Sequence, residues 1–329
     1  MDIKTFAKEL GVSTATVSRA FGSAGRISEK TREKILKAAD ELGYYANYNA
    51  SNLGSKKSGS ICFFYPEIYT EEPDYFVSEV ILGINRNLDH RQVFKVTPFD
   101  ENDNRILNSC KQQILDGRVS GAIILSGTKG ANILASLAEK VKIPYVIIGR
   151  NPKFTTNTVD YDNEHGAFLA GKLLKRLGRK KVAYISGHLD KLKKRGFAKG
   201  FGIEMSELIT VRGGAGFRYG IQAMETLRKK YPDVDGVLCA NDNLAIGLIN
   251  HAQKIGVSIP KDLSVVGFDD IAFSKFCNPS LSTISLNLKE LGSAAVRLLE
   301  KQMSGRDKST PAKCENEFIQ CELIIREST

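Results

Sequence analysis

The sequence predicts two folds in one chain: a three-helix bundle of helix-turn-helix type at the N-terminus and, beyond a hinge, an α/β body of two doubly wound parallel-sheet lobes. Three observations predict it. Short amphipathic helical patterns fill the first 42 residues, and no charged residue occurs from Leu42 to Ser55. Beyond that stretch, short apolar runs alternate with helical patterns over about 230 residues. At 329 residues and 42% hydrophobic content, the chain can bury a core in more than one domain.

The bundle takes its helices in order. Lys4 to Leu10 carries apolar Phe6, Ala7 and Leu10, and Gly11-Val12-Ser13 makes a turn. Thr14 to Phe21 carries Ala15, Val17, Ala20 and Phe21, and Ser28 to Leu42 carries Ile35, Leu36, Ala39 and Leu42 at helical spacing. Ser13 and Ser28 stand where N-caps belong, and Gly43 where a left-handed stop is expected. In the body, Ile61–Tyr65, Phe94–Thr97, Ala122–Leu125, Tyr145–Ile148, Val182–Ile185, Gly236–Ala240 and Leu263–Phe268 read as buried strands. Ser78–Arg91, Asn104–Asp116, His165–Leu177, Ile221–Tyr231 and Asn243–Ile255 read as the helices between them. Ligands of such sheets bind beyond the strands' carboxyl ends.

Charge points to an anionic partner. The chain carries a formal net charge of +10, and residues 1–60 hold 10 Lys/Arg against 6 Asp/Glu. Per residue the head is roughly three times as positive as the remainder, the footprint expected of phosphate-backbone contact. No apolar run reaches the roughly 18 residues a membrane span needs, and the opening Met1-Asp2-Ile3-Lys4-Thr5-Phe6 is unlike a signal peptide, so a cytoplasmic, nucleoid-associated protein is expected. The six cysteines form no CxxC pair, and His90, His165, His188 and His251 lack metal-ligand spacing, so neither metal nor cofactor is expected. Gly213-Gly214-Ala215-Gly216 is not a GxGxxG loop, and neither GxxxxGK[ST] nor GxSxG occurs, which argues against an enzyme.

The segment Gly11-Val12-Ser13-Thr14-Ala15-Thr16-Val17-Ser18-Arg19 places small and hydroxylic side chains on the outward face of a helix that follows a glycine turn. Small side chains let a helix sit deep in the major groove, hydroxyls and N-terminal amides grip phosphates, and an arginine forks onto guanine. The alternative is a solvated amphipathic helix with a capping serine.

Ile3-Lys4 through Ala7, Gly11-Val12-Ser13-x-x-Thr16-Val17-Ser18-Arg19, Ser28-x-x-Thr31-Arg32 and Leu42-Gly43-Tyr44 together resemble the head of the lactose/galactose repressor (LacI-type) family. The resemblance runs nearly to the last strand. It implies a DNA-binding domain over 1–45, a hinge over 46–59 and a periplasmic-binding-protein-like body over 60–329. Lobe one of that body would take about 60–160 and 288–318, and lobe two about 161–287 and 319–329. It also implies a repressor that binds a near-palindromic duplex operator as a homodimer, controlled by a small effector such as a sugar or phosphosugar. Alternatives are a solute-binding protein or an effector-independent regulator with a degenerate pocket.

By the same resemblance Thr14, Ala15 and Arg19 would face base edges, Ser13, Thr16, Ser18 and Asn47 would hold the backbone, and Ala50 and Leu53 would form a hinge helix that wedges the minor groove. The hinge reads Ala46-Asn47-Tyr48-Asn49-Ala50-Ser51-Asn52-Leu53, without the family's proline and arginine, so it is expected to order only on DNA.

In the body, Asp162-Asn163, the run from Cys239 through Asn241 to Gly247, and the run from Ser264 through Gly267 to Asp270 resemble the family's sensing core. The effector contacts so implied are Phe76, Arg150, Lys193, Arg195, Phe217, Asn241 and Asp269. Two departures stand out. Lys193 replaces the family's arginine unless Arg195 substitutes for it, and Ala215 replaces a frequent aromatic unless Phe217 swings in.

Overall fold

A computed structural model describes residues 3–21, 27–42, 44, 60–67, 74–89, 92–149, 154, 156–187, 191–304 and 314–329. Two compact units emerge, Met1–Ser58 and Gly59–Thr329.

The first unit holds α1 (Ile3–Glu9), α2 (Thr14–Phe21) and α3 (Glu29–Leu42). Phe6, Ala7, Val17, Ala20, Ile35, Ala39 and Tyr44 form its core. Tyr44 closes the base: its ring stacks on Phe6 with centroids 4.1 Å apart, and meets Phe21 edge-on at 5.7 Å. Its amide bonds the Ala39 carbonyl at 2.8 Å, which satisfies one of the acceptors left over at the end of α3. Gly11 sits at φ +64, so the turn between α1 and α2 uses backbone that glycine adopts without strain. Gly43 lies outside the described residues.

The second unit runs β1 (Ser60–Pro66), α4 (Tyr75–Asn87), β2 (Phe94–Phe99), α5 (Asn104–Leu115), β3 (Val119–Leu125), α6 (Lys129–Lys140), β4 (Tyr145–Ile148) and β5 (Asn157–Tyr161). It continues with α7 (Asn163–Arg176), β6 (Val182–Ser186), α8 (Lys191–Phe201), β7 (Ile209–Arg212), α9 (Phe217–Lys230), β8 (Gly236–Cys239), α10 (Asp242–Lys254) and β9 (Ser264–Asp269). A 3-10 turn (Ala272–Lys275), β10 (Ser282–Ser285), α11 (Leu288–Ser304), β11 (Asn316–Ile319) and β12 (Glu322–Ile324) complete it.

Two six-stranded sheets result, in the orders β11-β5-β4-β3-β1-β2 and β12-β10-β9-β8-β6-β7. All pairings are parallel except β12 on β10. The winding is the same in both lobes, with order reversing at β1 and at β6, so each lobe opens its crevice at the carboxyl ends of those strands and their neighbours. The chain passes between lobes after β5, after β10 and between β11 and β12.

Every strand and helix expected in the body is present, but α4 starts earlier than Ser78 and stops before Arg91. Asp74 caps it by accepting from the Val77 amide at 3.0 Å, and Leu88 turns extended. The body also holds elements that the apolar pattern did not reveal. β5 (NTVDY), β7 (ITVR) and β11 (NEFI) are short and polar, and α8 packs through Gly196, Ala198 and Gly200 alongside the buried Phe197 and Phe201. A Cβ on Gly196 would lie 2.0 Å from the Glu164 carbonyl, so glycine lets α8 press against α7. Likewise a Cβ on Gly247 would lie 2.0 Å from the Phe217 carbonyl, and its absence seats the start of α9 on α10.

Lobe two also buries polar groups. The Asp242 carboxylate accepts from the Thr283 hydroxyl at 2.6 Å and the Ile271 amide at 2.9 Å. Asp270 pairs with Arg326 at 2.6 Å, and the Ser328 hydroxyl donates to the Val265 carbonyl at 2.6 Å. All six cysteines are free, and among the described residues no helix is long and apolar enough to cross a membrane.

Candidate functional site

In the head, the Ser13 hydroxyl accepts from the Thr16 amide at 3.0 Å and lies 2.8 Å from the Thr16 hydroxyl. This pair caps the first turn of α2, whose buried residues are Val17 and Ala20. Thr14, Ala15, Ser18 and Arg19 are exposed on the other side, and Thr16 is half-buried. A helix presenting a methyl, hydroxyls and one guanidinium beside its N-terminus has the donors and the slimness that groove entry requires. Asn47, Ala50 and Leu53 lie outside the described residues, as does Arg150 of the body.

In the body, the sequence-predicted residues gather past the carboxyl ends of the strands. Asn241 follows β8 and caps α10: its side-chain oxygen accepts from the Leu244 amide at 2.8 Å, and its amide donates to the Ala215 carbonyl at 3.1 Å. That leaves one Asn241 N–H for a ligand. Lys193, on α8, donates to the Ala240 carbonyl at 2.7 Å and holds its ammonium 3.7 Å from the Phe268 ring centroid. Its charge is thereby seated on lobe two's own frame.

Asp269 ends β9 at φ +115, a strained setting for a residue with a side chain, and Asp270 follows at φ +55. Asp269 is 9% exposed, and burial pushes its carboxyl up to about 7, with Lys193 opposing and Asp74 reinforcing the rise. Asp74 itself is raised by burial against its bond to the Val77 amide. The Tyr161 phenol, at the end of β5, is pushed up by burial and by Asp269. Asp74 and Tyr161 stand on lobe one and Asp269 on lobe two, so these groups meet across the cleft.

Aromatic rings form the facing wall. Tyr75, at the start of α4, meets Phe217 edge-on with centroids 6.4 Å apart and lies nearly parallel to Phe273 at 6.1 Å. Phe217 therefore reaches the cleft, while Ala215 is buried. Phe76 is half-buried and packs on the main core of the body. Arg195 does not join Lys193: its guanidinium pairs with Glu164 on the exposed surface. A cavity of about 600 Å³ lined by Lys111, Ile133, Leu137 and Phe154 lies between α5 and α6 and gathers none of these groups, so the chemistry favours the cleft.

Asp74, Tyr75, Tyr161 and Phe273 were not anticipated. Tyr75 had a signal, since it adjoins Phe76 in Asp74-Tyr75-Phe76, and Phe273 follows Asp269-Asp270 by three residues. Tyr161 had none, because β5 itself escaped the pattern. Among the described residues no group of His, Cys, Asp and Glu could hold a metal ion.

Comparison with known proteins covers both units. Residues 2–47 match the family model of bacterial regulatory proteins, lacI family, and residues 172–329 match that of the periplasmic binding protein-like domain. The HTH-type transcriptional repressor CytR of Escherichia coli (strain K12) is 30% identical over 99% of this chain and 96% of its own length. The Lac repressor dimer bound to operator and the anti-inducer ONPF is 25% identical, with a TM-score of 0.79 over 100% of this chain and 99% of that one. The transcriptional regulator CelR in complex with cellobiose shares the fold at 24% identity and a TM-score of 0.73, with 100% of both chains covered.

Proposed function

The chain belongs to the lacI family of bacterial regulatory proteins, and from that premise we propose that it is a cytoplasmic transcriptional repressor, not an enzyme, that binds operator DNA as a homodimer and responds to a small polar effector. Residues 1–45 read the duplex, 46–59 form the hinge, and 60–329 bind the effector and dimerise. Thr14, Ala15 and Arg19 take base edges. Ser13, Thr16, Ser18 and Asn47 hold phosphates, and Ala50 and Leu53 act at the minor groove. One head covers half a site, so two copies on a near-palindromic operator supply specificity.

The effector lies in the cleft against Phe217, Asn241, Asp269 and Lys193, and Phe76 and Arg150 are further proposed contacts. Cellobiose in the CelR complex supports a sugar or sugar derivative for the same fold. The observation that carries the reading is α2, whose polar face is turned outward while its apolar face builds the core. Selection of duplexes from a random library by the full chain, followed by anisotropy titrations in rising salt, tests it. Binding should weaken linearly in log–log form as phosphate-bound cations are displaced, and the absence of salt-sensitive duplex binding defeats the proposal.

A further inference from the structure

We infer that access to the effector site is controlled from within: Tyr75 of lobe one, set against Phe217 and Phe273 of lobe two, forms an aromatic clasp that holds the lobes together and that an entering effector must part. The inference rests on the reading of the cleft as the effector site and adds the control of entry to it. Both ring contacts cross the cleft. Tyr75 lies nearly parallel to Phe273, at 9° with centroids 6.1 Å apart, and meets Phe217 edge-on, at 75° and 6.4 Å. Offset parallel and edge-on arrangements are the two that aromatic pairs prefer.

Each ring stands on a braced element. Tyr75 opens α4, where the Asp74 carboxylate accepts from the Val77 amide at 3.0 Å and the Ser78 hydroxyl donates to the Asp74 carbonyl at 2.9 Å. Phe273 rides on the 3-10 turn. There the Ser274 hydroxyl donates to the Ile271 carbonyl at 2.8 Å and accepts from Arg326 at 3.0 Å, while the Ile271 amide donates to Asp242 at 2.9 Å. Phe217 begins α9, whose start is seated on α10 at Gly247. Rings on braced backbone hold their positions within each lobe, so their meeting depends on the lobes being together. Phe273 is 43% exposed even against Tyr75, and opening leaves it with less cover still.

The polar groups of the cleft spend their bonds differently. Asn241, Lys193, Asp242 and Asp270 are each bonded inside lobe two, to Ala215, Ala240, Ile271 and Arg326 respectively. They shape the site, and the rings are what reaches across it. Two aromatic pairs weight the closed arrangement on the order of tenfold over the open one. An effector that enters only the open arrangement binds more weakly in proportion to the fraction of molecules that are shut. The clasp thus sets a threshold concentration for response without touching the head.

Hydroxyl-radical footprinting of the full chain with no effector added tests the inference, read at the Tyr161 ring, which lies at the end of β5 against Asp269 of the other lobe. Tyr75→Ala and Phe273→Ala should each label Tyr161 several times faster than the wild type while the circular dichroism stays unchanged. Tyr75→Phe, which keeps the ring, should match the wild type, and so should Phe276→Ala, which removes a ring that is 79% exposed. Adding Phe273→Ala to Tyr75→Ala should bring no further rise, because two sides of one contact are not additive. Unchanged Tyr161 labelling in the alanine variants overturns the clasp, as does an additive double variant or a Tyr75→Phe chain that labels like Tyr75→Ala. If Tyr75→Ala fails to fold, Phe273→Ala decides alone. Failure in these arms leaves the cleft standing as the effector site. That reading falls separately, and the clasp's role in controlling entry with it, if saccharides that raise the Tm of the full chain do so equally in a chain carrying Asn241→Ala and Asp269→Asn.

Discussion

The helical head and the two-lobed body spend their polar residues in opposite ways. The head turns Thr14, Ser18 and Arg19 outward and holds itself together with an apolar core around Phe6, Val17, Ile35 and Tyr44. The body turns Asp242, Thr283 and Asp269 inward, at the carboxyl ends of β8 and β9 and beside them. A surface that meets phosphate must keep its donors free in water until the duplex arrives. A cleft that meets a small molecule must hold its groups in place beforehand, and that requires burial and bonding. Substitutions at polar residues should therefore damage recognition in the head and folding in the body.

The largest effect is expected at Asp242. Asp242→Ala leaves the Ile271 amide and Thr283 hydroxyl buried without their acceptor, and should cost about 3 kcal/mol in urea unfolding of the body, with Asp242→Asn milder. A loss no greater than that of a surface substitution would break the comparison from the body's side. Arg19→Ala should leave unfolding unchanged and lower operator affinity by about 2 kcal/mol, read by anisotropy with a selected duplex. A drop in stability instead would mean that the exposed face of α2 is structural.

Acidity sharpens the contrast within the body. The Asp269 carboxyl moves from an ordinary 3.8 up to about 7, so the folded state keeps a proton that the unfolded chain has lost. That contribution is complete below pH 3.8 and vanishes as pH rises through about 7. Acidifying from pH 7.5 to 5.5 should thus stabilise the body by on the order of 1–2 kcal/mol, and Asp269→Asn should flatten the slope. A pH-independent midpoint in the wild type would contradict the burial of this group. The smallest effect belongs to Ser13→Ala, which removes the cap on α2 and should cost the head about 1 kcal/mol in thermal unfolding, with operator affinity weakened alongside.

The same contrast explains what could be read from the sequence. The described part of the head's proposed site lies within one continuous segment, Ser13 to Arg19, where cap, core and exposed residues alternate with the period of the helix itself, so their placement on α2 was legible. In the body the apolar strands β1, β3, β4, β8 and β9 were plain, because strands covered on both faces are apolar throughout. The edge and crossing strands β5, β7 and β11 were not, since half their side chains face water or the opposite lobe. Asn241 and Asp269 could be placed because strand ends mark the crevice. Tyr75 and Phe273 could not, because their meeting depends on how two lobes close, a relation that no local period encodes. Lys193 and Arg195 read as equal candidates two residues apart, and only packing separates a cation on Phe268 from one on Glu164.

The two sheets are completed by strands from the end of the chain, β11 on the first and β12 on the second. During synthesis the head has every one of its core residues by Tyr44, but neither lobe can close its edge until residues 316–324 have left the ribosome. A polypeptide emerging in this order carries a finished helical bundle long before it has a sensor. Any truncation that removes residues 322–329 or more of the tail would strip a strand from at least one lobe while leaving the bundle whole. The cell's quality control would then meet a nucleic-acid reader with nothing attached to tell it when to let go.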